Sequence, residues 1–263
     1  MPSNLPHNPT TTAHDVHRLD PLLFGKFPIK NMAIASGGDL LAIGDSFKEV
    51  LAAAAGSTDR VIAEGTLSHH ATNGLTMTAG SSANNAAVIS SLNKFPLGGN
   101  RFAVQCSINI DSIADNDNAV FIGFANAGRD GDALVDFDAS PTPDVEITLA
   151  AGSFGLWIPA DSGGSGSLYF AERKDGSDDP ADISTTDTGV DAVAGTALKV
   201  GMLCDGSVIK VYAGVDSDGI LVKKLEVSYP AVAQGYFVAM TKAQSTGAPV
   251  LSLGKLLAAG VVQ

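Results

Sequence analysis

The sequence predicts an all-β fold, a two-sheet antiparallel sandwich, and three observations carry that reading. The first is Thr196–Gly214, TALKVGMLCDGSVIKVYAG, in which Asp205-Gly206 separates two runs of alternating apolar residues. A two-residue type I′ turn needs φ > 0 at both central positions, which Asp-Gly supplies. With that turn, Leu198, Val200 and Met202 share a face with Ala213, Val211 and Ile209. Lys199, Gly201, Lys210 and Tyr212 share the other face, together with the apolar pair Leu203 and Val208. The second observation is Arg101–Asp111: Phe102, Val104, Cys106, Ile108 and Ile110 alternate with polar residues, as in a strand half-buried against a core. The third is the punctuation. Glu49, Glu64, Glu146, Glu172 and Glu226 are the glutamates among 28 acidic residues, and Asp, favoured in turns, makes up the rest. A lone hairpin is marginal in water, so these stripes imply further strands and a second sheet.

Taken in order, residues 1–38 read as an extended arm. Pro2, Pro6, Pro9, Pro21 and Pro28 exclude regular helix or inner strand there. Leu19, Leu22, Leu23, Phe24, Phe27 and Ile29 give the arm an apolar middle suited to docking on its own domain or on another subunit. Ser46–Gly56 reads as one short helix: Ser46 and Glu49 form a capping box, alanines propagate it, and Gly56 occupies the C′ position. From residue 60 onward about thirteen short strands follow, at 60–67, 74–79, 86–91, 101–110, 119–126, 144–150, 154–158, 167–173, 197–204, 207–213, 219–227, 236–243 and 248–254. Their connections are rich in Gly, Asp, Asn and Ser, as in Gly128–Asp132 and Asp161–Ser167. The division is an arm and helix over 1–58 and a sandwich over 59–263.

Composition excludes several functions. The net charge of −12 disfavours nucleic acid, which requires clustered Lys and Arg. No stretch approaches the ~18 apolar residues of a membrane span. The first twenty residues lack the basic start and apolar run of a signal peptide, so the chain is expected to be made in a cytoplasm. Cys106 and Cys204 both fall on apolar strand faces and read as buried free thiols.

The catalytic and metal patterns in the chain each have a structural explanation. Gly44-Asp45-Ser46 spells the GDS of SGNH hydrolases, but the histidines are His7, His14, His17, His69 and His70, so no distant base follows. Ser46 is better read as a helix cap. His14 and His17 lie in a proline-flanked arm, and His69-His70 would point to opposite faces of a strand, so neither pair forms a metal site. Asp130, Asp132, Asp136 and Asp138 lack the spacing of an EF-hand and read as a solvated turn. Glu146, Glu172 and Glu226 each stand alone on a strand, whereas glycoside hydrolysis needs paired carboxylates. The expectation is therefore a protein that is not an enzyme and carries no cofactor. Trp157, in FGLWIP, is a stacking platform for a sugar if exposed and a core residue if buried.

The series FAVQCSINI, AVFIGFANA, FGLWIP, LYFAER, ALKVGMLCDGSVIKVYAG and YFVAMTKA resembles a concanavalin A-like jelly roll over about Phe102–Leu253. More narrowly, it is similar to the lectin-like sandwiches of tailed-phage head proteins, the cement, decoration or head-fibre subunits. That resemblance implies a structural virion protein on the capsid surface, bound to the major capsid protein as a dimer or trimer, with the arm residues Leu19 to Ile29 making the contact. The competing expectation is a carbohydrate-binding, lectin-like module, free or on a phage fibre, with Trp157 at the sugar.

Overall fold

The computed structural model describes residues 39–45, 58–59, 62–63, 65–70, 74–82, 85–111, 119–126, 135–137, 147–149, 151–159, 166–174, 183–217, 221–243 and 248–262. The arm, with Leu19, Leu22, Leu23, Phe24, Phe27 and Ile29, and the helix expected at Ser46–Gly56 lie outside these described residues.

The strands in chain order are β1 (Asp39–Asp45), β2 (Thr58–Asp59), β3 (Ile62–Ala63), β4 (Thr66–His70), β5 (Gly74–Thr78) and β6 (Ala86–Pro96). Next come β7 (Phe102–Ile110), β8 (Ala119–Ala125), β9 (Val135–Phe137), β10 (Ile147–Leu149), β11 (Ser153–Ile158) and β12 (Ser167–Arg173). The last are β13 (Ile183–Asp191), β14 (Leu198–Cys204), β15 (Val208–Val215), β16 (Leu221–Ser228), β17 (Gln234–Lys242) and β18 (Val250–Val262). Sheet A runs β16-β15-β14-β7-β18-β5-β4, with β1 also on β18; sheet B runs β13-β12-β11-β8-β17-β6-β2, with β3 also on β6; β9 and β10 pair separately. Neighbouring strands pair antiparallel. The architecture is the two-sheet sandwich that the alternation predicts.

Alternation also explains where the core lies. Phe102, Val104, Cys106, Ile108 and Ile110 of β7 face inward against Val120, Ile122 and Phe124 of β8 and Phe154, Leu156 and Ile158 of β11. Phe124 is the hub of that layer. Its ring centroid lies 5.1 Å from Phe102 of the opposite sheet, 5.4 Å from Phe95, 5.5 Å from Phe154 and 6.0 Å from Phe237. These are the edge-on and tilted geometries that aromatic quadrupoles favour.

The central hairpin forms with a different turn from the one expected. Val200 pairs with Ala213, Met202 with Val211 and Cys204 with Ile209, so Gly206 and Ser207, not Asp205 and Gly206, are the central residues. Asp205 N donates to Val208 O at 3.2 Å, and Gly206 has φ 107°. Glycine at the first central position is what a type II′ turn requires. The Asp205 carboxylate moves the register by accepting the amides of Ser207 and Val208, each at 3.1 Å. Because strand side chains repeat every two residues and the slip is two, both stripes keep their faces.

Beside the short additions β2 and β9 and the extension of β6 to Pro96, three larger departures from the expected strands stand out. β1, which had no strand assigned, pairs along its length with the second half of β18, from Asp39↔Val262 to Asp45↔Leu256. β18 runs eight residues beyond the expected end at 254, through Lys255 to Val262. β13, ISTTDTGVD, is a polar edge strand with one buried threonine, Thr188, whose Oγ1 donates to Leu168 O at 2.7 Å. An edge strand has little to bury, so its sequence carries no apolar stripe.

Both cysteines are free and buried. Cys106 pairs with Val200, whereas Cys204 pairs with Phe102, four positions along β7. That separates them by about 13 Å, beyond the span of a disulfide.

Candidate functional site

Sheet B carries a second layer of side chains on the face turned away from sheet A. Val88 of β6, Phe121 of β8, Trp157 of β11, Ala171 of β12 and Met240 of β17 cluster there, with Tyr169, Ile183 and Tyr236 partly buried at the margin. The register explains the cluster. Tyr169, Trp157, Phe121, Met240 and Val88 are successive cross-strand partners, one apolar row across five strands. Trp157 is 1 % exposed and its ring centroid lies 5.6 Å from that of Tyr169. Of the two roles open to Trp157, the structure gives it the buried one; no sugar ring can stack on it in this arrangement.

One position pair further along the strands is a trough without bulk. Gly155 faces Gly123, flanked by Ala171, Val238 and Ser90. A Cβ on Gly123 would sit 2.2 Å from Phe154 O and 2.6 Å from Gly155 Cα, so the two backbones approach as only glycine allows.

The next row is polar: Arg173, Ser153, Ala125, Tyr236 and Lys94 are cross-strand partners in that order. Lys94 Nζ lies 5.3 Å from the centre of the Tyr236 ring and donates to Asn126 Oδ1 at 2.8 Å. Asn126 in turn is held by its backbone amide, which donates to Gly152 O beside Ser153. Lys94, Asn126 and Tyr236 are half-buried, so this end of the face reaches solvent. Ser153 is fully buried, and its Oγ has no hydrogen-bond partner among the described residues.

The charge on this face is mixed: Lys94, Arg173 and Lys242 are its cations on β6, β12 and β17, while the edge strand β13 sets Asp187 and Asp191 on the same face, opposite Tyr169 and Ser167. Glu172 points the other way: it pairs with the core residue Phe154, and burial pushes its carboxyl above the ordinary range, an effect that Lys174 partly offsets. Glu226 stands on sheet A, bound to Lys223 at 2.9 Å. The two glutamates therefore do not face each other across a cleft. Among the described residues no group of three or more His, Cys, Asp and Glu side chains could hold a metal ion.

Of the remaining candidates, His69 and His70 of β4 pair with Leu75 and Gly74 of β5, and Asp136 of β9 pairs with Thr148 of β10. Gly44 and Asp45 end β1, while Ser46, His7, His14, His17, Asp130, Asp132, Asp138 and Glu146 lie outside the described residues. The row from Lys94 to Arg173 has no counterpart among the residues expected from sequence. No local signal could have found it, because residues 94, 125, 153, 173 and 236 meet only through strand order.

No protein-family model matches the chain, and no curated protein matches it by sequence. Solved structures do match. Peanut lectin, solved with a nine-residue peptide, superposes over 85% of this chain and 98% of its own, with TM-score 0.58 and 9% identity. Lectin II from Ulex europaeus covers 86% of this chain and 100% of its own, with TM-score 0.55 and 11% identity. The fold is that of a lectin jelly roll. The same jelly roll is shared by an enzyme, the Crh5 transglycosylase in complex with NAG, over 82% of this chain and 83% of its own, with TM-score 0.51 and 9% identity. At these identities the likeness is one of fold alone.

Proposed function

We propose that the protein is a non-enzymatic carbohydrate-binding module whose ligand face is the outer face of sheet B. The observation that supports this reading is the match in fold to two lectins over more than four-fifths of the chain. That support is architectural; a fold hosts many functions, and the site must supply the chemistry. The site offers that chemistry at one end, where a partly exposed tyrosine ring, an amide and an ammonium group converge, the mixture that reads sugar rings and hydroxyls. A hydrolytic or transglycosylating role, which the Crh5 likeness raises, finds no support in the two glutamates among the described residues. Retaining glycosidases hold two about 5–5.5 Å apart, whereas Glu172 and Glu226 stand on different sheets. The capsid-cement expectation rested on the resemblance of the strand series to phage head proteins and on the arm, Leu19 to Ile29, which lies outside the described residues.

The test is a glycan array followed by titration calorimetry on the hits. Saturable binding to a glycan class, weakened by Tyr236→Ala in a folded variant, is the expected result. Failure to bind any glycan, alongside co-sedimentation with bare icosahedral shells, would return the reading to a structural virion role.

A further inference from the structure

We infer that the site reads the terminal unit of a glycan, held at the corner of sheet B formed by Lys94, Pro96, Asn126, Gln234 and Tyr236, and not the interior of a chain laid across the strands; the inference rests on the carbohydrate-binding reading above. The first observation is where the face is open. Every outward residue of β8 and β11 is buried: Ala119, Phe121, Gly123 and Ala125 on one, Ser153, Gly155 and Trp157 on the other. On β17, Val238, Met240 and Lys242 are buried too, whereas Tyr236 is half-buried and Gln234 is exposed. On β6, Ala86, Val88 and Ser90 are buried, whereas Lys94 and Pro96 are half-buried. Gln234 pairs with Pro96 and Tyr236 with Lys94, so the open positions adjoin. A glycan bound along its length needs a path across several strands, and the middle of this sheet is closed. The open corner is two strands wide and two outward positions long, about 5 by 7 Å, the footprint of a single sugar ring.

The second observation is which sides of the corner are walled. Ala125 of β8 and Val238 of β17, each 0 % exposed, stand against it on the sides facing the sheet. Farther along the same face, the β9–β10 ribbon, which the chain inserts between β8 and β11, comes within 8 Å of β13. The remaining sides face outward. Gly98, Gly99 and Ala233 are exposed, and among the described residues only β17 pairs with β6 past Ser91. These two open sides adjoin, whereas the links of an interior ring in an extended chain leave it on opposite sides. One link would therefore run into Ala125 or Val238, and a terminal ring has only one link to place. The third observation is chemical. The Gln234 amide both donates and accepts, as a sugar hydroxyl does, and the Tyr236 and Pro96 rings offer apolar surface to the C–H face of a sugar. Asn126 Oδ1 holds the Lys94 ammonium at 2.8 Å, so less motion is lost when a ligand hydroxyl meets it.

Isothermal titration with cello-, manno- and chito-oligosaccharides from dimer to hexamer, and with the tightest ligands of the glycan array, tests the inference. In a series that binds, the hexamer is expected within about twofold of the dimer, because rings beyond the corner add no hydrogen bond. Array ligands are expected to lose binding when an exoglycosidase removes their terminal residue. Gln234→Ala should weaken every length by the same factor, about fivefold, without lowering the melting temperature, since the side chain is exposed. Thr185→Ala, an exposed position on the far strand β13, leaves every length unchanged. An affinity that climbs about tenfold or more from dimer to hexamer, or a hexamer weakened by Thr185→Ala, means a chain lying across the sheet. Either result overturns the inference while leaving carbohydrate binding standing, as does binding that survives terminal trimming or is untouched by Gln234→Ala. Absence of binding to every saccharide, on the array and in solution, removes the carbohydrate reading itself and this inference with it.

Discussion

Asp205 is bound to Val208 twice: its backbone amide donates to the Val208 carbonyl at 3.2 Å, and its carboxylate accepts the Val208 amide at 3.1 Å. Two consequences can be measured by urea denaturation. Gly206→Ala places a Cβ at φ 107° and 2.8 Å from Gly99 O, and is expected to cost about 1–3 kcal/mol. Asp205→Ala loses hydrogen bonds on an exposed turn and is expected to cost about 1 kcal/mol. Slight burial tends to raise the Asp205 pKa, but the amides of Ser207 and Val208, with Lys210 nearby, hold it below the ordinary value. The Asp205 contribution is therefore present above the ordinary aspartate range and lost as pH falls through the depressed folded value. An Asp205→Ala cost that stayed constant down to about pH 2 would contradict this assignment.

Phe124 joins the two sheets, and its truncation should be far more damaging than that of a ring on an outer face. Phe124→Ala deletes a ring packed against Phe95, Phe102, Phe154 and Phe237 and should cost about 3–5 kcal/mol, with a matching drop in the urea midpoint. Tyr212→Ala, on the outer face of sheet A, should cost much less. Similar costs for the two would mean that the hub of the core lies elsewhere.

The thiols are expected to be inert in the folded protein. Burial pushes Cys106 up to about 12 and Cys204 up to about 11, so neither supplies thiolate near neutrality. Iodoacetamide at about pH 8 should label neither in the native state and both in about 6 M guanidinium, at rates near that of a free thiol. Rapid labelling of the native chain at Cys204 would show that its hairpin opens locally.

Glu172 should make stability fall as pH rises. Folding buries its carboxyl beside Phe154, so the native state holds the proton more tightly than the unfolded chain. The stability linked to that proton is complete below the ordinary glutamate value and is lost as pH rises through the elevated folded value. Glu172→Gln is permanently neutral, so it should raise the melting temperature at about pH 7 and change it little at about pH 3.5. The gain should stay under about 1 kcal/mol, since half the group keeps water. A loss of stability at pH 7 would mean that the carboxylate serves a partner there.

The sequence alone determined which side chains face the core. In β7 and in the β14–β15 hairpin, a period of two assigns each residue to a face without knowledge of its neighbours, and even the two-residue slip at Asp205 left those faces unchanged. Tertiary structure decided what periodicity does not encode. The second half of β18 is a strand because it pairs with β7 on one side and with β1, more than two hundred residues away, on the other, and β13 exists because the β12 edge offers it hydrogen bonds. Trp157 looks the same in sequence whether it stacks on a sugar or on Tyr169; only the second apolar layer of sheet B closes it. The cluster at Lys94 was illegible for the same reason, since strand order, a long-range property, brings positions 94, 126, 153 and 236 together, and no local pattern of residues fixes that order.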